Sequence, residues 1–490
     1  MQTREIKKLL AILCIVIVVA GILAYFDRPP TQSEATNDFS DLSWTAAFEA
    51  LHETLAQEYA FTEWKGIDWD SLHATYAPQI AAAQSSQDFK GYYLTLRAYL
   101  NEIPDGHVRV NNLKEIDDLF IGGGYGLALA NSSDQNIVIS WVDPASEAFA
   151  AGLRPGIEVV SWNGQPIRTA LDQTETSLSG TSATTEYLNL KKLAYLVRAP
   201  IGQPVEIGYL GADGATPGTA TLVAFDDGGQ SLRKNYPDAV VSNKLRDMFV
   251  GVDNPDPVPK AMVESQTVAD TITYVKIQGE LDADLQEAGK VQSTLDLLRD
   301  AITAAEQNGS QGLIIDLRNN IGGLDQMAVD MLGFFYDQPA FYEYQNLYNP
   351  ATGAFDIQKN EDGSVGLTIE PTQPHYEGTV IVLINPKCVS SGEGLAMGLQ
   401  KLPNVRTLGF YGTNGSFGLA GAEALMPGSL TVHWPSGQSL DEQKNIQLDS
   451  RNGSGGVRPD LVIPMTSENA IRIANGEDVE LAEAIRVLQN

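Results

Sequence analysis

Two short, uninterrupted apolar runs constrain the fold most: residues 312–317 (GLIIDL) and 379–384 (TVIVLI). Neither alternates polar with apolar, so each reads as a strand covered on both faces, as in a parallel sheet sandwiched by helices. Each precedes a stretch with helical character, residues 325–336 and 392–402, which gives the chain beyond Thr271 a βα pattern. The N-terminal side reads differently. Trp44, Phe48, Leu51, Leu55 and Tyr59 recur at spacings of three and four, and Phe89, Tyr92, Leu96, Leu100 and Ile103 repeat that rhythm. Those are amphipathic helices, with a weaker helical segment over residues 69–83 between them. From a glycine-rich stretch at residues 122–126, β-branched runs such as residues 136–142 (NIVISWV) alternate with turns to about Phe225. That is a small β-rich domain. Within it residues 169–185 are rich in serine and threonine and read as a surface insertion, and residues 253–259 (DNPDPVP) read as a connector. The expected division is residues 1–27 anchor, 28–42 linker, 43–115 helical unit, 116–227 β-rich domain, 228–262 connector and 263–490 core, an α/β (α+β) multidomain protein.

Residues 9–26 are uncharged and mostly aliphatic, about 27 Å long as a helix at roughly 1.5 Å per residue. Arg4, Lys7 and Lys8 precede them, which keeps the N-terminus cytoplasmic and sends the rest across the membrane. With no small-x-small site after it, the run reads as an uncleaved transmembrane anchor rather than a signal peptide. The working part is therefore expected outside the cytoplasm. A net charge of −30, with no basic face visible, excludes phosphate-backbone binding, so no nucleic-acid partner is expected. Two cysteines, Cys14 and Cys388, exclude a disulfide framework and a cysteine zinc site.

Chemistry concentrates where the two apolar runs end. Residues 385–393 (NPKCVSSGE) leave a strand and enter a helix. A hydroxyl there sits beside unpaired N–H groups and the positive end of a helix dipole, so Ser390 occupies a nucleophile's position and the Ser391 amide an oxyanion donor's. The plainer reading is a helix cap, with Glu393 completing a capping box to Ser390. Residues 316–323 (DLRNNIGG) also leave a strand, and the amide of Gly322 or Gly323 can serve as a second donor, or the pair can be a simple turn. Among the histidines, His52 and His73 lie in helical stretches and His375 and His433 in extended or loop segments, whereas His107 follows a helix end and a turn, where a side chain can project into a cleft. Lys387 and Lys401 are poorly placed to act as bases for Ser390.

In order along the chain, residues 64–76 (WKGIDWDSLHATY), 103–108 (IPDGHV), 145–164 (ASEAFAAGLRPGIEVVSWNG), DLRNNIGG, 380–396 (VIVLINPKCVSSGEGLA), 408–418 (LGFYGTNGSFG) and 455–464 (GGVRPDLVIP) resemble the serine peptidase family of C-terminal processing proteases, the tricorn core protease and the interphotoreceptor retinoid-binding protein repeats. The resemblance covers nearly everything after residue 55. It implies a crotonase-like catalytic core and a PDZ-like domain inserted before it. It implies Ser390 as nucleophile and an oxyanion hole from the amides of Gly322 and Ser391. The processing-protease branch carries a basic lysine where this chain has Ser416, so the chain looks more like the tricorn branch, whose base is a histidine matching His107. That branch orients its histidine with an acid, for which Asp449 is the nearest match. In a PDZ-like domain the loop of Gly124, Tyr125, Gly126 and Leu127 would offer N–H groups to a substrate's terminal carboxylate. The expectation is a membrane-anchored, extracytoplasmic serine peptidase acting on peptide or protein substrates, needing no metal or organic cofactor. The alternative is a catalytically lapsed binding or adaptor protein of the same fold.

Overall fold

The computed structural model describes residues 37–285, 290–360 and 362–490. The expected anchor at residues 9–26 lies outside the described residues, among which no helix is long and apolar enough to cross a membrane.

The N-terminal unit begins with β1 (Asn37–Asp38) and continues through α1 (Trp44–Glu58), α2 (Thr62–Lys65), α3 (Trp69–Ser86), α4 (Phe89–Asn101) and β2 (Arg109–Val110). Caps set the starts: Ser43 accepts from Ala46 N, Asp68 from Ser71 N and Asp88 from Gly91 N, each satisfying one of the orphan donors of a first turn. The apolar face seen in the sequence is the buried one, with Phe48, Leu51, Leu55, Tyr92 and Leu96 all fully covered.

The middle region holds β3 (Leu127–Asn131), β4 (Ile137–Val142), β5 (Glu158–Trp162), α5 (Thr185–Leu196), β6 (Pro204–Leu210), β7 (Pro217–Val223) and a single turn of helix, α6 (Gln230–Arg233). Its antiparallel sheet runs β7-β6-β5-β4-β3. The stretch expected as a surface insertion is not one. Thr176, Thr181, Ala183 and Thr184 are buried, and Arg97 donates to the carbonyls of Ser177 and Leu178. The Thr181 hydroxyl satisfies buried carbonyls of the loop around His107, a use that composition alone does not reveal.

The remainder contains β8 (Val263–Val268), β9 (Ile272–Ile277), α7 (Thr294–Gln307), β10 (Leu313–Asp316), α8 (Asp325–Leu332), β11 (Ala340–Asn349), β12 (Ala354–Ile357), β13 (Val380–Leu383), α9 (Ser391–Gln400), β14 (Val405–Gly409), β15 (Gly418–Met426), β16 (Leu430–Leu440), β17 (Leu461–Val462), α10 (Ser467–Ala474) and α11 (Val479–Gln489). The central sheet runs β8-β9-β10-β13-β14-β17, parallel from β9 onward. Leu313 and Ile315 face the core shared with α7, α8 and α9. Ile314 and Ile381 face the opposite core, shared with the middle region and α10 and α11. Burial on both faces is why these strands read as continuous apolar runs.

A further sheet, β1-β15-β16-β11-β12 with β2 alongside β16, crosses the expected boundary at residue 115. The helical unit packs on it: Ala424, Met426, Val432 and Trp434 share a core with Phe48, Tyr92 and Leu96. The described fold is thus mixed α/β, with the N-terminal helices seated on strands contributed from residues 418–440.

Candidate active site

Ser390 stands between β13 and α9 at φ 59° and ψ −134°, a left-handed backbone that costs a residue with a Cβ about 1–3 kcal/mol and persists only where surroundings enforce it. Here its N–H donates to Ser416 O (3.1 Å) and its carbonyl accepts from Glu393 N (2.8 Å) and Gly394 N (3.2 Å). The capping-box alternative is not formed. The Ser390 side chain caps nothing, and the Glu393 carboxylate instead accepts from Thr413 Oγ1 (2.6 Å), Gly415 N (2.7 Å) and Ser416 N (2.9 Å). Burial pushes Glu393 up to about 7 against the pull of those bonds. The Ser391 N–H, at the first position of α9, has no partner among the described residues and stands at the positive end of the helix dipole.

The loop after β10 lies directly against this turn. A Cβ on Gly322 would meet Ser390 Cβ at 2.7 Å and Oγ at 3.4 Å, with φ at 77°, so position 322 requires glycine on both counts. Its N–H, however, donates to Asn320 Oδ1 at 2.8 Å. The donor expected of Gly322 is therefore engaged in this structure, whereas the Gly323 N–H has no partner among the described residues. Asn320 joins several parts of the site. Its Nδ2 donates to Ile277 O (3.2 Å) and Glu280 Oε1 (2.8 Å), and its carbonyl accepts from Val389 N (3.2 Å). Arg318, buried beside it, pairs with Asp316 (2.6 Å), Asp478 (2.8 Å) and Glu480 (2.9 Å). This anchors the loop to the start of α11.

The His107 loop, from the N-terminal unit, is tied to the Ser390 turn through Ser416. Gly106 N donates to Ser416 Oγ (2.8 Å), the residue whose carbonyl holds Ser390 N. Ser416 thus hooks the Ser390 turn with its backbone and the His107 loop with its side chain. Thr181 Oγ1 donates to the carbonyls of Asp105 and Val108 (2.9 Å for the latter), clamping that loop from the other side. His107 is 8% exposed and its Nδ1 is buried without a hydrogen-bond partner.

The acid beside His107 is not the one expected. Asp449 makes no hydrogen bond or ion pair to His107 among the described residues: one oxygen lies 2.6 Å from Lys65 Nζ and the other accepts from Phe417 N at 2.9 Å. Burial pushes Asp449 up to about 6, Lys65 opposing and Asp105 adding to the shift. Asp105 is the nearer acid. Its Oδ1 accepts from His107 N (2.9 Å) and lies 3.5 Å from His107 Nδ1. Against the cost of burial, Lys65 and His107 hold the Asp105 carboxyl well below the usual carboxylate range.

Other candidates are engaged elsewhere. Lys387 pairs with Asp238 (2.6 Å), His52 Nδ1 with Tyr99 OH (3.0 Å) and His73 with Glu49 (2.7 Å). The glycine loop expected to take a substrate carboxylate is partly covered by the chain itself. Gly124 N donates to Phe225 O (2.9 Å), Leu127 pairs with Val142, and the Asp227 carboxylate, held by Arg198 (2.7 Å) and Ser231 Oγ (2.7 Å), stands where a Cβ on Gly124 would be. The turn α6 packs against both α5 and β3, and Asn235 donates to Leu129 O (3.1 Å) on the β3 edge. Among the described residues no cluster of His, Cys, Asp and Glu has metal-holding geometry.

Lys65, Asp105, Asn320 and Ser416 were not singled out for these roles from sequence. The one signal available was Ser416 standing in the place of a family lysine.

Residues 271–463 match peptidase family S41, and residues 40–91 match the tricorn protease C1 domain. Ser390, Gly322 and Asp449 fall in the first match and Lys65 in the second, while His107 lies between them. The carboxy-terminal processing protease CtpA of Bacillus subtilis (strain 168) is 28% identical over 169 residues, 34% of this chain and 32% of that protein. The match thus spans about a third of that relative's length. Mature CPAF complexed with lactacystin has a similar fold, with a TM-score of 0.61 at 14% identity over 91% of this chain and 98% of that one. Mature CPAF gives a TM-score of 0.60 at 15% identity over 91% and 97%. The two family matches bracket the histidine loop and contain the serine turn, and over residues 271–463 the chain is similar to peptidase family S41, as over 169 residues it is to a carboxy-terminal processing protease.

Proposed function

We propose that this protein hydrolyses peptide bonds through an acyl-enzyme, with Ser390 as nucleophile and His107 as general base. The observation that carries the reading is the strained Ser390 turn, whose hydroxyl caps nothing and whose backbone shares Ser416 with the His107 loop. Ser390 Oγ attacks the scissile carbonyl as its proton passes to His107, which then protonates the leaving amine. The Ser391 N–H and a second amide from the glycine pair hold the developing oxyanion. That second donor is Gly323, or Gly322 once Asn320 releases it. Water then attacks the acyl group, with His107 again as base.

The remaining parts of the reading are a crotonase-like core around β9, β10, β13 and β14, and a PDZ-like unit over residues 116–227 that engages a substrate's C-terminus. The apolar run at residues 9–26 behind Arg4, Lys7 and Lys8 supports a single-pass anchor with the catalytic part outside the cytoplasm. The antiparallel sheet with its glycine loop and flanking α5 supports the middle assignment, with the segment around α6 having to yield before a peptide can pair with β3. The test is cleavage of a peptide library by the full chain, read by mass spectrometry. Products from wild type that vanish in Ser390→Ala and His107→Ala are expected. Identical products from Ser390→Ala would refute the mechanism, and no products from any form would favour a binding protein.

A further inference from the structure

Lys65 is buried at the junction between the N-terminal helices and the loops around Ser416, its side chain only 1% exposed. It meets two carboxylates: Asp449 Oδ1 at 2.6 Å and Asp105 Oδ2 at 3.5 Å. It also donates to Pro104 O (2.8 Å) and Ser450 Oγ (3.1 Å). Ser450 N in turn donates to Gly415 O (2.8 Å), so the lysine is tied to the loop that holds Ser390. Asp105 receives Tyr59 OH at 2.9 Å on the oxygen facing Lys65, while its other oxygen faces His107.

We propose that Asp105 is the positioning residue that orients His107 and stabilises its charged form, and that Lys65 is a second positioning residue, fixing Asp105 by pairing it with Asp449. This deepens the peptidase reading and rests on it.

The argument is one of unfilled bonds and charge. The bond from His107 N to Asp105 Oδ1 closes a two-residue side-chain turn, which keeps that oxygen within an ångström or so of contact with Nδ1. An imidazole that takes a proton from Ser390 must donate from both nitrogens, and a buried donor left unpaired costs about 1–3 kcal/mol. Asp105 Oδ1 is the carboxylate oxygen in place to receive it, since the two oxygens of Asp449 face Lys65 and Phe417 N. Two carboxylates facing one ammonium leave a negative charge that an imidazolium neutralises as it forms. Burial alone would lower the Lys65 ammonium, but Asp105 and Asp449 hold it above its ordinary value. Without that cation the two buried carboxylates repel, and one of them takes up a proton.

The experiment compares full-length Asp105→Asn, Asp449→Asn and Lys65→Met with wild type for kcat and KM on one cleaved peptide. The ring nitrogens of the five histidines are read by ¹⁵N NMR in wild type and Asp449→Asn. Asp105→Asn is expected to lower kcat by about 100-fold or more with KM within about threefold, since it removes orientation and charge but no substrate contact. Asp449→Asn is expected to keep at least about a tenth of kcat, with Lys65→Met between the two. His107 is expected to carry its proton on Nδ1, with a downfield signal that survives in Asp449→Asn. The proposal is overturned if Asp449→Asn loses as much kcat as Asp105→Asn, if Asp105→Asn retains more than about a tenth, or if Nδ1 carries no proton. Should Asp105→Asn fail to fold, the NMR pair decides: survival of the signal in Asp449→Asn supports the proposal and its loss overturns it. A wild type that cleaves nothing defeats the peptidase reading instead, while the ring signal still reports on Asp105.

Discussion

A methyl group at position 322 would press on Ser390 Cβ at 2.7 Å and on Val389 O at 2.9 Å, on backbone already left-handed. Gly322→Ala is therefore expected to cost about 1–2 kcal/mol in stability but far more in chemistry. If Ser390 is the nucleophile, as proposed, a shift of about 1 Å is expected to lower turnover roughly 100-fold. Parallel denaturation and steady-state kinetics check this split. Glu280, a turn away, makes a pH prediction. Burial, with Asp325 adding and Asn320 opposing, pushes its carboxyl up to about 8. Between the ordinary glutamate range and that value the native state keeps a proton that the unfolded chain releases. Stability from this group is then full at low pH and falls as pH rises, by roughly 1.4 kcal/mol per pH unit for one whole proton. Glu280→Gln is expected to flatten that slope in urea denaturation across pH 5 to 8, and an unchanged slope would assign it to other groups. The turn around Ser390 and Ser391 and the close approach of Gly322 to it are legible in sequence because a strand, a turn and a helix start leave their marks within a few consecutive residues. The contacts of Lys65 with Asp449 and of Ser416 with Gly106 join positions hundreds of residues apart, of which local spacing carries no trace, whereas Asp105 stands two residues from His107 and only its burial and pairing were hidden. Asp449, expected beside His107, instead pairs with a lysine in the N-terminal helices, a contact of the same long range.

At the scale of elements, the segment before α5 shows how composition misleads. Serine and threonine usually mark solvent-facing chain, yet Thr181 is buried and holds two carbonyls of the His107 loop with one hydroxyl. Thr181→Val keeps the shape and removes those bonds, so it is expected to cost about 1–3 kcal/mol and to lower kcat while leaving KM near wild type. A kcat equal to wild type would show that the loop is held well enough without it. The helices and buried strands, by contrast, fall within a few residues of where periodicity puts them. Their apolar faces are long enough to outvote local noise, whereas the short strands β1, β2 and β17 carry no pattern to read.

For the whole molecule, the boundary drawn at residue 115 fails because β15 and β16 belong as much to the N-terminal helices as to the core. Removing residues 37–110 would strip cover from Met426, Val432 and Trp434, all now buried. The truncated chain is expected to be insoluble or loosely packed rather than folded and inactive, as dye binding and solubility would report. The same packing brings the His107 loop onto Ser416, whose carbonyl holds the Ser390 N–H. That meeting is tested most directly by treating the full chain with a fluorophosphonate and mapping the adduct by mass spectrometry. A single adduct on Ser390 is expected, absent in Ser390→Ala and formed about 100-fold more slowly in His107→Ala. An adduct on another residue, or labelling of His107→Ala at the wild-type rate, would contradict the account.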